Sequence, residues 1–174
     1  QDLPGGIKQR LALSCSLIHD PKLIFLDEPT AGVDPASRRI FWDLIRDLKE
    51  QGRTIFVTTH YMDEVEQCDR IALMNRGRID ALDTPLSLRT KILPGPVFEV
   101  TGKEPAPIKQ VLEAIQAEGE IVRFDPFGRG FHVVSTEAGL SNKTKQTLET
   151  LHCNVHKINA SLEDVFVYVI GHEK

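Results

Sequence analysis

Eight residues, Leu23-Ile24-Phe25-Leu26-Asp27-Glu28-Pro29-Thr30, restrict what this chain can fold into more than any other stretch. Four consecutive apolar residues without alternation predict a strand buried on both faces, as in a parallel sheet. Asp27 and Glu28 follow where that strand must end. Burying unpaired carboxylates costs several kcal/mol each, so the pair is expected at the exposed carboxyl edge of the sheet. In open α/β sheets that edge is where ligands bind. Pro29 cannot donate to a ladder and stops the strand just past the acids. Asp27 is placed to hold a hard cation such as Mg²⁺, and Glu28 to orient or deprotonate a water. For two acids alone a solvated strand cap would be the simpler reading. The residues on either side shift the balance.

Pro4-Gly5-Gly6 opens an apolar-rich segment, predicted to be a mostly buried helix from Gly5 to about Asp20. Its glycines expose backbone N–H groups at the helix start, where a phosphate can sit. After the acidic strand, Ala31-Gly32-Val33-Asp34-Pro35 reads as a turn into a second helix, with Asp34 as N-cap and Pro35 in its first position. Ile40, Phe41, Leu44, Ile45 and Leu48 mark one apolar face of that helix, and Gly52 ends it. Ile55-Phe56-Val57-Thr58-Thr59 is a second β-branched strand, which delivers His60 to the same edge as Asp27 and Glu28. A lone histidine after a strand is usually structural. Beside two carboxylates it becomes a candidate site residue.

Further along, Met62 to Cys68 reads as a short acidic helix, and Arg70–Met74 and Arg78–Ala81 as strands joined by a turn at Asn75-Arg76-Gly77. Asp83-Thr84-Pro85 starts another helix, and Pro94-Gly95-Pro96 reads as a linker. Residues 97–170 then follow the order βαββαβα, a small α+β unit. The expected fold class is therefore α/β, with residues 1–93 as one domain and 97–174 as a second. His152-Cys153-x-x-His156 is a single isolated cluster without a matching half, so no metal is assigned to it.

Composition narrows the function. With 41% hydrophobic and 26% charged residues, the chain has the make-up of a globular protein. Its formal charge of -4 gives no electrostatic reason to expect nucleic acid as a partner. Three widely spaced cysteines fit a reducing compartment better than a disulfide framework. No apolar run approaches the roughly 20 residues that span a bilayer, so any membrane partner is expected to be another chain. The sequence begins without Met, and a motif occurs at once. It is expected to continue upstream.

These motifs carry a resemblance. Leu3-Pro4-Gly5-Gly6-Ile7-Lys8-Gln9-Arg10-Leu11 resembles the signature motif of ABC transporter ATPases, and Leu23–Pro29 their Walker B strand with its glutamate. Ala31-Gly32-Val33-Asp34-Pro35 resembles the D-loop, and Thr58-Thr59-His60 the switch-histidine loop. Asp63-Glu64-Val65-Glu66 and Cys68-Asp69-Arg70-Ile71 strengthen the match, which covers residues 1 to about 90. Residues 97–170, ending Ser161-Leu162-Glu163-Asp164-Val165-Phe166, are similar to the C-terminal extension of ABC-2-type exporter ATPases.

The resemblance implies the C-terminal portion of a P-loop NTPase (RecA-like) core with a mostly parallel sheet, followed by the small α+β domain in a regulatory or accessory role. It implies ATP and Mg²⁺ as ligands, sandwiched between two nucleotide-binding domains. Asp27 would hold Mg²⁺ through water, Glu28 would polarise the attacking water, and His60 would contact the γ-phosphate. Asp34 would reach across the dimer, while Leu3, Pro4, Gly5 and Gly6 would face the ATP held by the partner domain. The implied partners are that second domain and integral membrane permease subunits, with no nucleic acid, at the cytoplasmic face of the cell membrane.

Three departures bear on activity. Pro4 stands where the family usually has Ser, removing a hydroxyl and a backbone donor. A hydrogen bond to a charged group is worth about 1.5–3 kcal/mol, so the composite site would weaken about ten- to a hundredfold. Some exporter ATPases of this group, including tandem fused ones, tolerate Pro here, so an inactive site does not follow. Ile7 in place of Gln removes another polar contact. No G-x-x-x-x-G-K-[ST] P-loop occurs in the sequence, so residues 1–174 are not expected to turn over ATP by themselves. Two other readings compete with the transporter ATPase. One is a non-catalytic cassette half that completes a partner's site. The other is a soluble ABC ATPase acting on nucleic acid or ribosomes.

Overall fold

A computed structural model describes residues 4–171. The fold is mixed α/β, with one parallel and two antiparallel sheets, and it divides into two compact units on either side of the Glu64–Val65 bond.

The first unit contains α1 (Gly5–Ser16), β1 (Leu23–Asp27), α2 (Pro35–Glu50) and β2 (Thr54–Thr58), and its boundary falls before the last residue of the short α3 (Met62–Val65). Because α2 carries the chain back across the sheet, β1 and β2 pair in parallel, in register from Leu23 opposite Thr54 to Asp27 opposite Thr58. Asp34 caps α2 by accepting from the amides of Ala36 and Ser37, with Pro35 in the first turn. Phe41, Trp42, Ile45 and Leu48 form its buried stripe, at the spacing that places them on one side of a 3.6-residue repeat.

Two expectations fail in this unit. The first helix ends at Ser16 rather than near Asp20, and only Gly6 and Leu13 are buried along it. Near its end the Ser14 hydroxyl bonds the carbonyl of Arg10 and the Ser16 hydroxyl that of Leu13, supplying local alternatives to helical continuation. The acidic strand is not buried on both faces either. Ile24 is buried, but Leu23 is 50% and Phe25 70% exposed, and Phe56 on β2 is 52% exposed. A two-stranded sheet covered on one side leaves alternate residues in solvent, and there the rings of Phe25 and Phe56 lean together at 5.6 Å.

The second unit begins with the antiparallel hairpin β3 (Ile71–Asn75) and β4 (Arg78–Asp83). Arg76 and Gly77 both take positive φ, 46° and 78°, the conformation of a two-residue turn that matches strand twist. Thr84 caps α4 (Pro85–Lys91) through the amide of Ser87. The Pro94-Gly95-Pro96 segment is tied to the strand end it passes, the carbonyl of Pro96 accepting from both the amide and the hydroxyl of Ser135.

Residues 97–171 form the expected βαββαβα order: β5 (Val97–Thr101), α5 (Pro105–Ala117), β6 (Ile121–Phe127), β7 (Gly130–Ser135), α6 (Asn142–Thr150), β8 (Asn154–Ile158) and α7 (Leu162–Gly171). The strands make one antiparallel sheet in the order β6-β7-β5-β8. One sheet face contributes Phe98, Val100, Phe131 and Val133 to a core shared with Ile108 and Leu112 of α5 and Leu148 of α6. Cys153 belongs to that core. From α7, buried Asp164 meets Nδ1 of His132 on β7 at 2.7 Å, and exchanges capping bonds with Ser161.

Glu120 anchors the start of α6. Burial alone would push its carboxyl up, but the Thr144 hydroxyl and the amide and hydroxyl of Ser141 outweigh it and hold the group below its ordinary value of 4.5. A carboxyl lowered by folding contributes stability above its unfolded value and loses it as pH falls through the folded one. Thermal melts of wild type and Glu120→Gln should therefore differ at neutral pH, wild type being the more stable, and converge as pH drops below 4.5.

Candidate functional site

The parallel pairing of β1 and β2 brings their carboxyl ends to one edge, and the acids stand there in solvent. Thr58 organises the edge. Its hydroxyl donates to Asp27 Oδ1 at 2.5 Å, and the amide of Glu28 donates to both its carbonyl and its hydroxyl, at 3.1 and 3.0 Å. Glu28 has φ 41°, a left-handed conformation that a side-chain-bearing residue adopts only when its surroundings impose it. Those surroundings are the bonds to Thr58 and a turn in which the amide of Ala31 donates to the carbonyl of Glu28. Backbone strain is thus held at the second acid.

His60 follows β2 by two residues, and its Nδ1 lies 3.3 Å from Glu28 Oε1. Both side chains are about half exposed, 56% and 52%. A pair so exposed is worth roughly 0–1 kcal/mol, so its contribution is orientation rather than stability. Asp27, Glu28 and His60 therefore converge as the strand topology predicts. Beside Asp27 opens a cleft of about 210 Å³, lined by Gln9, Leu13, Phe25 and Phe41. Ligand pockets run to about 300–1,000 Å³, so this cleft is too small to hold a nucleotide, and the open edge is the better candidate.

A second group of predicted residues gathers where α1 and α2 begin. The carbonyl of Pro4 accepts from the amides of Ile7 and Lys8, so the amides of Gly5 and Gly6 precede the first bonded turn. Gly6 sits where a Cβ would come within 2.6 Å of Ser37 Cβ, so its lack of a side chain lets the two helix starts approach. Asp34 belongs to the same place. Its carboxyl is held below the ordinary range, first by the backbone amide of Ser37 and then by that residue's hydroxyl. Leu3 lies outside the described residues.

Two residues at the edge escape the sequence reading. Thr58 reads as a strand residue and as the start of the histidine loop, with no role of its own. Glu64 reads as part of a short acidic helix and of the family match, with no role of its own, yet its side chain is wholly buried. The register of β1 against β2 would have found Thr58, since it stands opposite Asp27. The burial of Glu64 depends on contacts with Thr30, 34 residues away, and left no local signal.

Chemically, an exposed carboxylate bonded through one oxygen retains acceptor capacity for the water shell of a cation. Among the described residues no group of three or more His, Cys, Asp or Glu could hold a metal. Mg²⁺ suits the Asp27 carboxylate, because such an ion is bound through one or two carboxylates with waters and substrate phosphates completing its shell. Among the described residues no helix is long and apolar enough to cross a membrane.

The chain resembles known proteins over nearly its whole length. Residues 1–64 match the family described as "AAA domain, putative AbiEii toxin, Type IV TA system". The chain is 57% identical over 90 residues to "Probable multidrug ABC transporter ATP-binding protein YbhF" of Escherichia coli (strain K12), covering 52% of this chain and 16% of that protein. It is 37% identical over 177 residues to "Nod factor export ATP-binding protein I" of Neorhizobium galegae, covering 99% of this chain and 48% of the relative. The protein of the same name from Burkholderia orbicola (strain AU 1054) is 36% identical over 174 residues, with 99% of this chain and 55% of the relative covered. The chain thus spans about half the length of the relatives that match it throughout.

Proposed function

Because the chain belongs to the ABC transporter ATP-binding proteins, we propose that it forms part of a subunit that hydrolyses ATP to drive export across a membrane. The observation that carries this reading is the convergence of Asp27, Glu28 and His60 at the ends of two adjacent parallel strands. Phosphoryl transfer depends on positioning and charge stabilisation, which such an edge can supply.

Each residue has a role in the proposal. Glu28 takes the proton of the attacking water, and its strained backbone fixes where that base stands. His60, oriented by its contact with Glu28, holds the γ-phosphate. Asp27, with Thr58 on its other side, holds the water shell of Mg²⁺. When bound, Mg²⁺ supplies positive charge against the phosphate oxygens. Gly5 and Gly6 offer their free amides to an ATP held by a second nucleotide-binding domain, and Asp34 lies beside them at that face.

The names of the matching relatives favour export, since they read "multidrug ABC transporter" and "Nod factor export". The partners we propose are a second nucleotide-binding domain and integral membrane permease subunits, with the protein at the cytoplasmic face of the membrane. We also propose that functional domains divide at Pro94-Gly95-Pro96, with residues 97–174 regulating or dimerising the nucleotide domain. Pro4 favours a second reading, because it leaves the start of α1 without a side-chain cap. In that reading the chain lends α1 to a partner's site without hydrolysing ATP at its own edge.

Phosphate release from ATP by the intact polypeptide tests the proposal. Turnover that requires Mg²⁺ and stops on chelation is the expected result. Absence of turnover with its membrane partner present would overturn it.

A further inference from the structure

Glu64 is 0% exposed in a protein whose other acids mostly face water, and it lies on a helix of only four residues. A buried carboxylate is costly unless donors meet it, and here they do. Oε1 accepts from the Thr30 hydroxyl at 2.5 Å and Oε2 from the Thr59 hydroxyl at 2.7 Å. Nε of Arg38 stands 3.5 Å from Oε1, close enough for charge attraction though not aligned as a hydrogen bond. The Arg38 guanidinium in turn lies over the ring of Tyr61, 4.0 Å from its centre.

The two threonines flank the candidate site. Thr30 follows Glu28 by two residues, is 1% exposed, and its carbonyl accepts from Val33 in the turn toward Asp34. Thr59 precedes His60, and its hydroxyl also accepts from the amide of Tyr61, so the backbone on both sides of His60 is tied to one oxygen. The amide of Glu64 closes the loop on the Tyr61 carbonyl at 3.1 Å, and the Tyr61 ring lies 4.2 Å from that of His60.

We propose that Glu64 is a positioning residue for hydrolysis, its carboxylate joining the segment after Glu28 to the segment bearing His60 so that base and histidine keep one relative placement. The proposal rests on the ATPase reading above. It goes further in assigning the Glu28–His60 distance to a buried carboxylate that touches neither reacting group. Stability does not explain a carboxylate here, since replacing a buried ion pair by apolar groups is often neutral or stabilising. What apolar groups cannot do is hold two hydroxyls, one from each segment, on opposite oxygens of a single side chain.

The test uses the intact protein and compares Glu64→Ala, Glu64→Gln and Thr59→Ala. Glu64→Ala is expected to lower kcat by about tenfold or more with KM for ATP within about twofold, because misplacement of catalytic groups costs turnover before binding. Gln, which can still engage both hydroxyls, should restore most of kcat. In a His60→Ala background the Glu64→Ala effect should largely vanish, as expected of residues acting through one another. Should Glu64→Ala fail to fold, Thr59→Ala carries the same expectation at the His60 side alone. Unchanged kcat, or effects additive with His60→Ala, would overturn the proposal. A wild-type protein without ATP turnover counts instead against the ATPase reading. Positioning is then judged by amide exchange at Thr59–Tyr61, where rates unaffected by Glu64→Ala overturn it independently.

Discussion

Glu28→Gln in the intact protein is expected to lower ATP turnover by about 10²–10⁴-fold, the usual contribution of a positioned general base, while leaving Mg²⁺-ATP binding in place. The substitution keeps the shape of the side chain and removes its ability to accept a proton. It does not touch what holds residue 28 in position. The left-handed backbone there is fixed by bonds from the amide of Glu28 to Thr58 and to its carbonyl from Ala31. An amide can also accept from Nδ1 of His60, so the histidine keeps its neighbour. Phosphate release should collapse while equilibrium nucleotide binding changes little. Unchanged turnover would remove the catalytic role of Glu28 and leave the reading in which this chain only completes a partner's site.

The second large effect concerns stability. Leu112→Ala is expected to cost about 2–5 kcal/mol, the range for a leucine removed from a packed core. Leu112 is 1% exposed in the cluster formed by Val100, Ile108, Phe131, Val133 and Leu148, all themselves buried. Domains are stable by only about 5–15 kcal/mol, so that loss is a large share of the total. It should appear as a lower unfolding midpoint and as faster amide exchange in β5 and β7. Leu86→Ala provides the contrast, because Leu86 is 66% exposed and its truncation should stay within about 0.5 kcal/mol. Equal effects at the two positions would contradict the core described above.

Much of this arrangement is legible in the sequence, for reasons that also mark where legibility stops. An apolar run, an amphipathic helix and a second run imply a βαβ unit, and parallel strands bring their carboxyl ends together. Asp27, Glu28 and His60 could therefore be placed at one edge without coordinates. The βαββαβα order after Pro96 follows from period-two and period-3.6 patterns that each element carries by itself. Exposure is another matter. Phe25 belongs to an apolar run, but whether both faces of its strand are covered depends on neighbouring elements and not on the run. Glu64 shows the converse, since its acidic surroundings suggest solvent while the Thr30 and Thr59 hydroxyls and Arg38 enclose it. His132 and Asp164 meet across 32 residues, a pairing that neither local pattern announces. Sequence periodicity reports which way a residue points along its own element. Its partner is chosen by packing.

The structure of the intact Glu28→Gln protein bound to Mg²⁺-ATP is the most direct test of the central claim, that the β1–β2 edge is a site of ATP hydrolysis. The expected result is a γ-phosphate within hydrogen-bond reach of His60, with the water shell of the metal against Asp27 and an ordered water beside residue 28. Nucleotide bound away from this edge, with Asp27 and His60 still facing solvent, would contradict it.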